Sequence, residues 1–443
     1  MRTFKVPLIR ELVTHVALLT LEPVTHAALL TLLLIPSVHA VTSQLNLVNP
    51  LIGNTGPSPN DCGGMIPSVS PPFGTTRWVA QTAENYVSKL PYNYSDSAYI
   101  HGFIGTRQPA IWMGESGSVV VAPGVGHIKP KFEDRGLPKV NETEKFGVGF
   151  YSVQLDAGDD SAIDVEMTAS RFVNRTFLLN NRVFSASHVG YLRFTFSRND
   201  SSARPYVLVQ SSRPLILYSV PAFNTNGNLL TIYPDGQATI SPSQQEICGY
   251  NTERQDAIIT PVSSNSSSNN FKGYFCARFS QPFDDFGIVQ GSKAVQSRQL
   301  TGEGPELASY AYFDYPENKN SFTVDLRIGT SFISIDQARK NIDDDISHDI
   351  DNTRKAVEGA WMEKLGRVEL EGGTSDNQTV FMTGMFHALQ VSESFKGYPF
   401  FHPPQYPYEQ DESGHYYSAY DNAVHEGQSY TGYSIWVCLF LSF

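Results

Sequence analysis

From about residue 117 to residue 330, apolar and polar side chains alternate, as in Leu192-Arg193-Phe194-Thr195-Phe196 and Phe322-Thr323-Val324-Asp325-Leu326-Arg327-Ile328. Successive side chains of a strand point to opposite faces, so the pattern predicts strands with one face buried. The alternation recurs around Val119 to Val121, Tyr151 to Leu155, Val165 to Ala169, Tyr206 to Gln210, Gly273 to Phe279 and Tyr310 to Tyr315, between clusters of Gly, Pro, Asn and Ser. Such spacing predicts a large antiparallel β-sandwich. At Ser334 the period changes. Ile335, Ala338, Ile342, Ile346, Ile350, Val357, Trp361 and Leu365 are separated by threes, fours or their sums, which predicts one long amphipathic helix. Ser334 and Gln337 have capping-box spacing, and Asp343, Asp344 and Asp345 fall mid-helix on the solvated side. After Gly372-Gly373 a second helical pattern puts Phe381, Met385, Phe386 and Leu389 on one face. The predicted order is sandwich, linker helix, then the start of an all-helical domain.

Composition agrees with a β-rich chain. Charged residues make up 17% of the 443 positions and aromatics 12%, with 34 Gly and 27 Pro. The formal net charge of -12 repels phosphate backbones, and no Lys/Arg cluster with interleaved aromatics is present, so nucleic acid is excluded as the expected partner. Residues 1–40 differ from the rest. Arg2, Lys5 and Arg10 precede an apolar run from Ala27 to Ile35 that ends at Val38-His39-Ala40, a signal-peptide pattern with cleavage expected after Ala40. The alternative is an N-terminal anchor, for which the apolar run falls short of the roughly 20 residues a spanning helix needs. A secreted protein with no membrane attachment after cleavage is therefore expected. Sequons at Asn93, Asn141, Asn174, Asn199, Asn265 and Asn377 agree with passage through the secretory pathway. In that oxidising setting Cys248 and Cys276 are expected to pair, the alternative being two buried free thiols.

Candidate chemistry lies in loops dense in Gly, aromatics and amides. A sugar presents an apolar C–H face and a ring of hydroxyls, so an aromatic plate flanked by amide, carboxylate and guanidinium groups suits it. Trp112 beside Arg107, Gln108 and Glu115 supplies those groups. The competing reading makes Trp112 a core residue and Arg107 the ion-pair partner of Glu115. No nucleophile elbow, P-loop, dinucleotide fingerprint or His-Glu-x-x-His motif is present. Glu409, Asp411, Glu412, Asp421 and Glu426 sit in a polar stretch where acids are expected to stay solvated.

Several segments resemble, in order and approximate spacing, the signature of glycoside hydrolase family 92. They are Asn49-Pro50-Leu51-Ile52-Gly53, Pro72-Phe73-Gly74, Tyr94-Ser95-Asp96, His101-Gly102-Phe103, and late in the chain Tyr420-Asp421-Asn422, His425-Glu426-Gly427 and Tyr430-Thr431-Gly432-Tyr433-Ser434-Ile435-Trp436. The wording Gly102-Phe103-Ile104-Gly105-Thr106-Arg107-Gln108-Pro109 is similar to the fungal branch of secreted α-1,2-mannosidases. The resemblance implies a galactose-mutarotase-like β-sandwich over residues 41–330, a linker helix over 331–370, and over 371–443 the first helices of an incomplete (α/α)6 barrel. It also implies an inverting, calcium-dependent exo-α-mannosidase that acts on mannose-containing glycans at the domain junction. Gly53, Arg107, Gln108, Trp112, Glu115 and Trp436 are the implied substrate-binding residues. Two departures stand out. Val437 occupies the place of a family aspartate that contacts mannose, and Cys438 to Phe443 form an apolar tail unlike the family. The family's general acid, its base and the main calcium ligands are expected beyond residue 443, which implies a truncated chain without catalytic residues of its own. The alternative is a carbohydrate-binding sandwich without hydrolytic activity.

Overall fold

The computed structural model describes residues 44–54, 64–72, 74–84, 90–107, 115–170, 172–173, 185–186, 188–199, 203–218, 229–254, 271–291, 293, 295–345, 349–390, 415–418 and 423–426. Two large antiparallel sheets dominate. The first has seven strands in the order Arg77–Ala80, Phe103–Thr106, Val119–Val125, Pro205–Gln210, Leu307–Tyr312, Asp285–Gln290 and Gln296–Ser297. The second has nine: Thr301–Gly304, Gly236–Ser241, Glu246–Asn251, Gly273–Phe279, Ser321–Ser331, Val189–Arg198, Ser161–Ala169, Phe150–Gly158 and Lys145–Gly147.

The alternating segments fall where a half-buried strand needs them. Leu192, Phe194 and Phe196 lie opposite Leu326, Val324 and Phe322. Phe194, Phe196, Phe275, Leu326 and Ile328 of one sheet share a core with Val79, Phe103, Val121, Val207 and Val209 of the other. Burying a side chain of this size contributes about 1.5–3 kcal/mol, so this shared core is what holds the two sheets face to face. Leu208, Tyr206, Ala122 and Tyr310 form a separate cluster on the far face of the seven-stranded sheet. Cys248 and Cys276 are directly opposed on neighbouring strands, and their Sγ atoms are bonded.

Several expectations need correction. The long helix from Ser334 to Leu365 is two helices, Ile335–Asp344 and Ile350–Leu365. Asp345 turns to extended backbone, and Asp349 caps the second helix by accepting from the Asp351 backbone N–H. This second cap starts a new helix where hydrophobic spacing alone suggested continuity. The three acids do not share a solvated face: Asp343 pairs with Arg278, Asp344 pairs with Lys340, and Asp345 is buried. Ser334 does cap its helix, accepting from the Gln337 N–H at 3.0 Å, while the Gln337 amide turns to Asn341 instead. In helix Ser375–Gln390 the buried face carries Met382 and Phe386, and Phe381 is exposed. Phe103–Thr106, which the alternation does not predict, is a fully buried strand paired with Arg77–Ala80. The segment after residue 371 also holds an antiparallel pair, His415–Ser418 with Ala423–Glu426.

Candidate functional site

The strand Phe103–Thr106 delivers Thr106 and Arg107 to the edge of the seven-stranded sheet, and Glu115 returns beside them. Glu115 is fully buried. It accepts from the Thr106 hydroxyl and, at 3.0 Å, from the Arg107 backbone N–H. The Arg107 guanidinium donates to the carbonyls of Ser116 and Gly117 at 3.2 and 2.8 Å and stacks on Phe332, its Cζ 4.1 Å from the ring centre. Arg107 and Glu115 are therefore brought together, with the backbone amide of Arg107 as the bonding group.

A second carboxylate joins them from a distant part of the chain. Glu253 follows the strand Glu246–Asn251 and is as buried as Glu115. Its Oε2 accepts from the Ser118 backbone N–H at 2.9 Å and from the Ser118 hydroxyl, and its Oε1 pairs with Arg213 at 2.6 Å. Asn251 bridges the carbonyls of Ser118 and Ser211 at 2.7 and 2.8 Å. Burial pushes the Glu115 carboxyl above its usual range, and the charge of Glu253 adds to the push. Arg77 is lowered to about 10 by burial, with Glu115 pulling the other way.

The chains that carry these groups cross at a pair of glycines. Gly117 has φ +62°, and a Cβ built on Gly273 would stand 2.2 Å from the Gly117 Cα. Only residues without side chains let the two backbones come this close. Beside the crossing lies an aromatic wall. Phe271 and Phe332 are 5.5 Å apart between ring centres, and Tyr417 of the late strand pair is 5.6 Å from Phe271. Arg254 lies over Phe271 as Arg107 lies over Phe332.

The other proposed contacts are placed differently. Gly53 has φ +81° and accepts from the Met65 N–H at 3.1 Å; its loop is tied to helix Ser375–Gln390 by His387, which contacts the Ile52 carbonyl at 3.1 Å. Gln108, Trp112 and Trp436 lie outside the described residues, as do Asn174 and Asn265; Asn93, Asn141, Asn199 and Asn377 are exposed. Sequence reasoning missed Glu253, Arg213, Arg254, Phe271, Phe332 and Tyr417. Their one local signal is weak: Glu253 and Arg254 are adjacent charges just past a buried strand.

Among the described residues, the group able to bring three metal-binding atoms within 4.8 Å of one another is Glu246, Cys248 and Cys276. It does not fit calcium, which takes six to eight oxygen ligands. Two of its members form the disulfide, and Glu246 is held by Arg278 and Arg339 at 2.6 and 2.9 Å.

The structure is thus a two-sheet antiparallel sandwich followed by helices, with a buried polar network and an aromatic wall where the late strand pair meets the sandwich. Residues 47–174 and 180–331 match the family model described as the glycosyl hydrolase family 92 N-terminal domain, and residues 337–438 match the family 92 catalytic domain. The chain belongs to glycosyl hydrolase family 92. A curated relative from Arthroderma benhamiae, named an uncharacterized secreted glycosidase, is 24% identical over 375 residues, covering 80% of this chain and 42% of its own. The solved family GH92 inverting mannosidase BT2199 of Bacteroides thetaiotaomicron superposes with a TM-score of 0.66 at 24% identity, over 88% of this chain and 44% of that one. The α-mannosidase BT3965 of the same organism gives 0.61 at 19% identity, over 88% and 45%. The chain thus spans less than half the length of these relatives.

Proposed function

We propose that the protein serves the hydrolysis of α-linked mannose in N-glycans or mannans outside the cell, and that these 443 residues supply a wall that grips the sugar. The observation that carries the reading is the meeting of Arg107, Phe332, Phe271 and Tyr417, which joins the sandwich loop to the segment leading toward Trp436. An aromatic and guanidinium surface suits the C–H face and hydroxyls of a neutral hexose. The mannosidase names of the solved relatives, one of them also solved with mannoimidazole, and the secreted fungal relative support the substrate and location. The leader pattern of residues 1–40 agrees, and no described helix is long and apolar enough to cross a membrane.

Inversion belongs to the same proposal. It needs a protonated acid and a base about 6.5–9.5 Å apart, with water between them. Glu115 and Glu253 are not cast in those roles, because their oxygens are occupied by Thr106, Arg107, Ser118 and Arg213. The described residues therefore bind and orient, and after the linker over 331–370 helix Ser375–Gln390 would open the helical barrel. Calcium enters this proposal through the family resemblance alone.

The test is titration of a high-mannose glycan into the purified chain, with mannose release followed in calcium and in chelator. Expected are binding that Trp112→Ala removes at unchanged melting temperature, and no release by this chain. Release with calcium would place acid and base within these residues; absence of binding would overturn the reading.

A further inference from the structure

A cavity of about 530 Å³ opens on the far face of the seven-stranded sheet. Its floor carries Gln210, which shares that face with Tyr206 and Leu208, and it meets the network above only through Arg213. At its back Arg135 is buried and donates to four neutral acceptors: the His101 carbonyl at 2.5 Å, Gln210 Oε1 at 2.8 Å, Gln81 Oε1 at 3.2 Å and the Pro130 carbonyl at 3.5 Å. By capturing both amide oxygens, Arg135 fixes the orientation of the two glutamines. Their NH2 groups make no hydrogen bond to another described residue, so two donors are left at the cavity wall.

The opposite rim supplies an acceptor. Glu306 lines the cavity with a half-buried carboxylate that has neither hydrogen bond nor ion pair among the described residues. Its backbone has φ +50°, in the two-residue turn between strands Thr301–Gly304 and Leu307–Tyr312, a conformation that favours glycine. A glutamate held in such a position is a local cost retained at a lining residue, the pattern expected where the side chain has work to do. Tyr233, 55% exposed, adds an aromatic face.

The charge balance narrows the ligand. Three cationic and four acidic side chains line the cavity, so neither an anion nor a metal ion finds a matching field. Fixed donors, a free carboxylate and an aromatic face fit a neutral, hydroxyl-rich molecule. We infer that this cavity is an accessory site for one neutral saccharide unit, gripped by Gln81, Gln210 and Glu306 against Tyr233. That the saccharide is a mannoside rests on the function proposed above; the cavity itself requires only a neutral polyol.

The test is hydrogen exchange of the full chain with and without millimolar α-1,2-mannobiose, on wild type, Glu306→Gly and Tyr233→Ala. Wild type is expected to gain protection over residues 130–135 and 229–236, and both variants to lose most of it. Glu306→Gly is also expected to melt higher than wild type, since the left-handed position is relieved, so loss of protection there is not loss of fold. Unchanged protection in both variants, or none at these segments, overturns the inference. Protection confined to residues 101–107 and 115–117 overturns it while the proposed function stands. Protection at the cavity with none at 101–107 keeps the inference and removes the mannoside wall.

Discussion

Two charge networks in this protein use the same residue types to opposite effect. On the nine-stranded sheet, Arg193 pairs with Asp325 at 2.7 Å and approaches Glu166 and Asp349 at 3.8 Å, with a quarter of the Arg193 and Asp325 side chains exposed. At the edge of the seven-stranded sheet, Arg213 pairs with Glu253 at 2.6 Å with both side chains almost wholly buried, beside Glu115 and Arg77. Water reaches the first set, so its ion pairs are partly screened and the loss of Arg193 should cost less. Burial makes the second set interdependent, because removing one charge strands another away from water. Distance alone does not separate them; solvent does.

The largest effect is expected from Glu253→Ala, which leaves Arg213 buried without this partner and should cost about 3–5 kcal/mol in urea unfolding. A loss no greater than that of a surface pair would break the contrast.

Glu115→Gln is the next step down, at about 1–3 kcal/mol, and it sharpens the comparison through pH. The folded Glu115 carboxyl sits above its ordinary value of 4.5, so the fold favours its neutral form. Its contribution is complete below 4.5 and declines as pH rises toward the folded value. The Gln variant should lose that downward slope; an unaltered slope would remove Glu115 as its source.

Arg193→Ala should cost about 1 kcal/mol or less and should lose even that at high salt. Smallest is Asp344→Asn, which breaks an i,i+4 pair with Lys340 for about 0.3–0.5 kcal/mol. A salt-insensitive penalty at Arg193 would place it with the buried network after all.

The sandwich was legible because its strands alternate. Leu192 to Phe196 and Phe322 to Ile328 each bury one face, so period two is written directly in the residues. Arg77–Ala80 and Phe103–Thr106 are buried at every position, and a strand covered on both faces has no alternation to read. The helix break near Asp349 was hidden for a related reason: Ile342, Ile346 and Ile350 keep helical spacing across it, and the cap that interrupts them is one polar residue among many. Of the site, Arg107 and Glu115 could be paired because they are eight residues apart. Glu253 reaches Ser118 across 135 positions, and Phe332 meets Tyr417 only through the fold. No local pattern records such encounters.

The crossing of Gly117 and Gly273 has a consequence for anyone wishing to redesign this protein. A single methyl group on Gly273 would need the space already held by the Gly117 backbone. Changes to the residues around Glu115 and Phe271 would leave this approach intact only while both glycines are kept.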